Sequence, residues 1–103
     1  MRFTFESLHF WPNAPEGEEG YLRHPHRHLF HVEAVKDVTH DDRDIEFISF
    51  KREMFTHCEV VWGSQLHSDS CEAMARNMVK RFGLRSCRVF EDNENGAEVS
   101  AVD

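Results

Sequence analysis

The sequence predicts one α+β domain with its elements in the order ββααββ, an antiparallel sheet carrying two helices on one face. Three observations predict it. Two extended segments open the chain, two helix-periodic segments fill its middle, and an Asn95-Gly96 pair separates two β-rich segments near its end. A length of 103 residues fits a single domain spanning 1–103 and suffices to bury a core without disulfide or metal staples.

Arg2 to Trp11 alternates, with Phe3, Phe5, Ser7 and His9 on one face and Thr4, Glu6, Leu8 and Phe10 on the other. That is the period of a strand. Pro12 to Gly20 is acidic and rich in Pro and Gly, hence a loop, and it joins two strands as a long hairpin. The second strand is entered after Pro25 and runs to about Val38, before a polar turn at Thr39–Asp44. Phe47, Phe50, Met54 and Phe55 then recur at helical spacing, so a short amphipathic helix follows Ile45. Cys58 to Trp62 is compatible with an extension of that helix or with a buried connector. Gly63-Ser64 breaks the chain, and Asp69 stands as an N-cap with Glu72 as its capping-box partner. The helix Ser70–Phe82 carries Met74, Met78 and Phe82 as its apolar stripe and stops at Gly83. Arg85–Glu91 is a third strand with Cys87, Val89 and Glu91 on one side; Asn93–Gly96 turns the chain and Ala97–Val102 returns.

Composition narrows the function. The formal net charge is −7, from 12 basic and 19 acidic residues, which argues against a nucleic-acid binder with a basic face. The three cysteines, Cys58, Cys71 and Cys87, form no CxxC pair and no even-numbered disulfide set; a reducing, cytoplasmic compartment is expected. The chain opens directly on a strand pattern, so no signal peptide is expected, and no apolar run approaches the roughly 20 residues of a membrane span.

The most informative stretch is His24-Pro25-His26-Arg27-His28-Leu29-Phe30-His31-Val32, which holds four of the eight histidines. In a strand, His24, His26 and His28 project to one side and His31 to the other. Two such imidazoles stand about 6–7 Å apart at Cα, close enough to share one ion if a third ligand comes from elsewhere. Neutral imidazole is a common ligand for zinc and similar divalent metals. The alternative is a histidine-rich surface strand without an ion.

Several segments together resemble the 6-pyruvoyl-tetrahydropterin synthase and 6-carboxy-tetrahydropterin synthase family, of T-fold architecture. Phe5-Glu6-Ser7-Leu8-His9 is similar to its first strand; His26-Arg27-His28 to its His-Gly-His segment; Ile45-Glu46-Phe47 with Lys51 to one helix entry; Ser70-Cys71-Glu72-Ala73-Met74-Ala75 to the other; Val89-Phe90-Glu91-Asp92 and Gly96-Ala97-Glu98 to its final hairpin. The resemblance implies zinc held by His9, His26 and His28, with a register using His24 and His26 as the alternative. It implies that Glu91 anchors the N–H edge of a pterin or purine ligand, and that subunits join into a barrel as a homotrimer or homohexamer.

The proton-transfer residues of that family are mostly missing. Leu22, or Gly20 in the other register, stands where the family has a Cys. Thr56-His57 stands where it has Asp-His, which leaves His57 as the catalytic candidate, and Glu18 or Glu19 as a substitute base. For a triphosphate substrate such as dihydroneopterin triphosphate, Arg23, Arg27 and Lys51 are the evident cations. Three functions follow: a metal-dependent pterin-processing lyase; a metal- and pterin- or purine-binding protein without turnover; and a structural relative whose histidines serve assembly.

Overall fold

The computed structural model describes residues 1–101. Its elements are β1 (Arg2–His9), a 3-10 turn (Gly20–Arg23), β2 (His26–Val35), α1 (Phe47–Cys58), a π-helical turn (Glu59–Gly63), α2 (Cys71–Phe82), β3 (Ser86–Glu91) and β4 (Asn95–Ser100). The strands form one antiparallel sheet in the order β1-β2-β3-β4. The ββααββ order and the four-stranded antiparallel sheet are therefore as the sequence predicts.

One sheet face makes the core. Phe5, Phe30, Val32, Ala34, Cys87, Val89 and Val99 are buried against Met54 and Cys58 of α1 and Met74, Ala75, Met78 and Val79 of α2. The alternation that puts Phe5 inward carries Ser7 and His9 inward as well. On β2 it carries His26 and His28 onto the same face as Phe30. Apolar burial thus fixes the strand register, and the register delivers the histidines.

Several boundaries differ from the sequence expectation, each for a local reason. β1 ends at His9 rather than Trp11, because the Trp11 N–H leaves the ladder for the Leu22 carbonyl at 2.6 Å. β2 ends at Val35 rather than Val38. In α1 the inward stripe is Phe50, Met54 and Cys58, whereas Phe47, Ile48 and Phe55 are exposed. Cys58–Trp62 continues the helix as a π turn, closed by Ser64 N–H on the Glu59 carbonyl at 2.8 Å, and this swings Trp62 into the core.

Ser70, not Asp69, caps α2: its Oγ accepts from the Ala73 N–H at 3.1 Å. Asp69 cannot serve there because its carboxylate accepts the Trp62 indole N–H at 2.9 Å. Gly83 ends α2 in the left-handed region, at φ 61°. The final hairpin turns at Asp92 and Asn93, with φ of 51° and 59°, three residues before the Asn95-Gly96 pair. Asn95 and Gly96 belong to β4 instead. A Cβ on Gly96 would collide with the Val89 carbonyl oxygen and stand 2.6 Å from the Phe90 Cα, so close strand approach requires this glycine. The predicted strand end at Val102 lies outside the described residues. No helix among the described residues is long and apolar enough to cross a membrane.

Candidate metal centre

Strand pairing sets His9 directly opposite His26, and Ser7 opposite His28. Each of His9, His26 and His28 offers a ring nitrogen, and the three atoms lie within 4.8 Å of one another. The ring centroids are 5.5 Å apart for His9 and His26, 6.1 Å for His9 and His28, and 4.7 Å for His26 and His28. His24 is outside this group: it closes the 3-10 turn, and its carbonyl oxygen accepts from His26 Nδ1. His31 faces the opposite side of the sheet, as the alternation requires.

The hydrogen bonds say which nitrogen each ring can give. His9 Nε2 faces the Asp69 carbonyl at 2.8 Å, and a carbonyl can only accept, so Nε2 carries the proton. His26 Nδ1 faces the His24 carbonyl at 2.8 Å, and His28 Nδ1 faces the Asp92 carboxylate at 2.6 Å. That leaves one lone pair per neutral ring: Nδ1 of His9, Nε2 of His26 and Nε2 of His28. His9 Nδ1 is buried and has no hydrogen-bond partner, a cost to folding of about 1–3 kcal/mol that an ion would remove. Histidines that bind metals usually donate their second N–H to a carbonyl or carboxylate, as all three do here. Zinc–imidazole bonds of about 2.0–2.1 Å put ligand nitrogens roughly 3.4 Å apart, so closure takes about an ångström of ring movement. The donor set therefore fits a divalent metal, and the cluster could hold one.

Electrostatics keep the His9 ring ready. Burial lowers the pKa of His9, and the neighbouring His26 and His28 add to that against the opposing pull of the Asp69 carbonyl and Glu91. A neutral His9 is the form that binds metal. Asp92 is held below the usual carboxylate range, first by the Leu29 N–H at 2.9 Å and then by His28. It stays ionised and orients the His28 ring.

A cavity of about 380 Å³ opens beside the cluster, lined by His9, His26, Trp11, Leu22, Cys71 and Glu91 among others. Glu91 Oε2 is 3.6 Å from His28 Nε2. Leu22, at the position where the resemblance has a Cys, lines this cavity. Cys71 lines it too, but burial, with Glu91 and Glu72 nearby, pushes its thiol up to about 12, so no thiolate forms near neutrality.

The structure does not bring His57 to this place. It lies on α1 against Trp62 and Phe82, with Nε2 2.8 Å from the Asn77 amide oxygen, and it lines a different cavity with Arg52 and Arg81. Glu18 and Glu19 are exposed loop residues. Arg23 donates to the Ala14 carbonyl, Arg27 pairs with Glu6, and Lys51 is exposed on α1. None of these lines the cavity beside the histidines.

Sequence reasoning missed His67, Asp69, Trp62 and Trp11. His67 forms a parallel bridge with His9 across the outer edge of β1 and is buried, its ring centroid 4.9 Å from that of His9. Nothing in local periodicity marks this, because a one-residue bridge is a tertiary pairing.

No protein-family model matches the chain, and no curated protein matches it.

Proposed function

We propose that the protein binds a divalent metal, zinc in the first instance, through His9, His26 and His28, and uses the adjoining cavity to hold a flat pterin or purine ligand. The single observation that carries this reading is the buried, unpartnered Nδ1 of His9, a member of a three-histidine cluster whose ligand atoms lie within 4.8 Å of one another. Three protein ligands leave the fourth position to water or substrate, the arrangement of an open zinc site. A metal there would act as a Lewis acid on a ligand oxygen. Glu91, on the cavity wall beside His28, supplies a carboxylate for two parallel N–H bonds from a ring edge. Trp11 and Leu22 supply apolar surface for the ring face.

Binding without turnover is the better-supported form. His57 and the loop acids are elsewhere, Cys71 keeps its proton, and Arg23, Arg27 and Lys51 are not on the cavity wall for a triphosphate to meet. Lyase chemistry on a dihydroneopterin triphosphate-like substrate is the second reading, favoured by the three-ligand donor set with a cavity at its open side. The assembly that accompanies either reading is a barrel, homotrimer or homohexamer. It would cover the sheet face on which Leu8 is 50% and Leu29 40% exposed.

Calorimetric titration of chelator-treated protein with zinc should give one site per chain. Neopterin and guanine should then bind with fluorescence quenching, and Glu91→Gln should weaken that binding at least tenfold while leaving zinc affinity intact. Protein that takes up no zinc would sink the reading. Release of triphosphate from dihydroneopterin triphosphate would instead select the lyase form, and light scattering reads the assembly.

A further inference from the structure

Asp69 uses three different atoms on three different partners. Its carbonyl oxygen accepts from His9 Nε2 at 2.8 Å, its N–H donates to His67 Nδ1 at 3.2 Å, and its Oδ2 accepts the Trp62 indole N–H at 2.9 Å. The segment around it is laid along the outer edge of β1, where Phe10 N–H meets the His67 carbonyl and His67 N–H meets the Leu8 carbonyl, both at 3.1 Å. Trp62 is itself fully buried, and its carbonyl accepts the Ser7 hydroxyl at 2.6 Å. Trp62 is thus tied to the sheet through its backbone carbonyl and to Asp69 through its indole N–H.

These contacts assign the same tautomer, protonated at Nε2, to two imidazoles that meet edge to face. A carbonyl faces His9, so the His9 proton sits on Nε2; an N–H faces His67, so the His67 lone pair sits on Nδ1 and its proton on Nε2. With the protons reversed, His9 would direct a lone pair at a carbonyl and keep an N–H on Nδ1, leaving no lone pair free for an ion. A metal-binding His needs the first arrangement.

We propose that Asp69 is the positioning residue of the metal centre: pinned by the Trp62 indole, it holds His9 with Nδ1 bare and its lone pair free for an ion. The proposal rests on the metal-binding reading for its purpose, and on the Asp69 geometry alone for its mechanism. Asp69 does not touch the metal position; it acts through His9. The specificity is geometric, since the group that contacts His9 is backbone and the side chain serves to fix where that backbone lies.

The test separates the two layers. Long-range proton–nitrogen correlation spectra of metal-free, nitrogen-15-labelled protein read the tautomer of each histidine directly. The wild-type chain should show His9 protonated at Nε2. Trp62→Phe keeps an aromatic ring but removes the indole donor, and Asp69→Ala removes the acceptor. Both should mix the His9 tautomers and weaken zinc about 10–100-fold, the usual effect of losing a supporting contact. Asp69→Asn keeps an oxygen for the indole and should restore both readouts to within about threefold. Unfolding curves confirm that each variant is folded, and should Asp69→Ala not fold, Trp62→Phe carries the same comparison. A wild-type His9 protonated at Nδ1 would overturn the proposal. So would unchanged tautomers and zinc affinity in both Trp62→Phe and Asp69→Ala. If the wild-type chain took up no zinc but the His9 tautomer still followed the Asp69 variants, the metal reading would fall and the positioning role would stand.

Discussion

The Nδ1–H of His28 donates to the Asp92 carboxylate over 2.6 Å, and the same carboxylate accepts the Leu29 N–H at 2.9 Å. One acid at the start of a turn therefore sets both a side chain and the backbone of β2. In Asp92→Asn the amide can accept only one of those two donors with its oxygen and presents N–H groups to the other. Zinc affinity should fall about 10–100-fold, with little change in unfolding midpoint because the site is exposed. Unchanged zinc titrations would show that His28 needs no such partner.

The alternation of β2 makes its own control. His9→Ala, His26→Ala and His28→Ala should each weaken zinc by more than the roughly 100-fold upper range of a supporting-contact loss. His31→Ala, on the other face, should leave zinc affinity as it is. Equal losses for His31 and His28 would mean that ions bind the histidine-rich strand without a defined site.

His67 ties stability to pH. Burial, helped by neighbouring His9, pushes its pKa down to about 4. The unfolded chain takes up this proton near pH 6.5, before the folded chain does. Stability is therefore complete above about 6.5 and is lost as pH falls toward 4, by on the order of 3 kcal/mol. Urea unfolding of chelator-treated protein at pH 7 and pH 4.5 reads the slope. His67→Gln should flatten it, and a wild-type chain equally stable at both pH values would refute the account.

The cysteines should be silent in the folded protein. Burial pushes Cys87 and Cys71 each up to about 12, and Cys58 is raised further in the same direction. A thiol reagent at pH 8 should modify none of the three until the protein is unfolded in denaturant. The sign for stability is opposite to that of His67: these groups favour the folded state below the ordinary thiol range and lose that contribution as pH rises toward 12. Rapid native-state labelling would contradict this packing.

Gly96 is needed for space. Gly96→Val should destabilise by about 1–3 kcal/mol through overpacking, seen as a lower unfolding midpoint. A neutral substitution would mean that β3 and β4 separate at little cost.

The element order was legible because each signal was local. Alternation over Arg2–His9, the stop at Gly83 and the paired imidazoles of His26 and His28 all follow from spacing of two or about three and a half residues. Alternation put His26 and His28 on one face, whereas His9 was named only through the family resemblance, and a register using His24 and His26 stayed the alternative until the 3-10 turn took His24 out of the strand. The surroundings of the cluster were not legible. Asp69 reads as a helix cap until Trp62, brought round by a π turn, claims its carboxylate. His67 becomes visible only when its segment lies against β1. His57 was placed by counting back from Glu72, and helix α1 turned it toward Asn77 instead.

The pairing of His9 with His26 has a consequence for how the sheet assembles. A slip of β1 by a single residue would send its entire inward set to the solvent side, and the three imidazoles would no longer converge. An ion that needs all three can be captured only by a chain whose first two strands have already found their correct alignment. Loading would then proofread the hairpin, drawing misaligned chains back into the pool that can still refold.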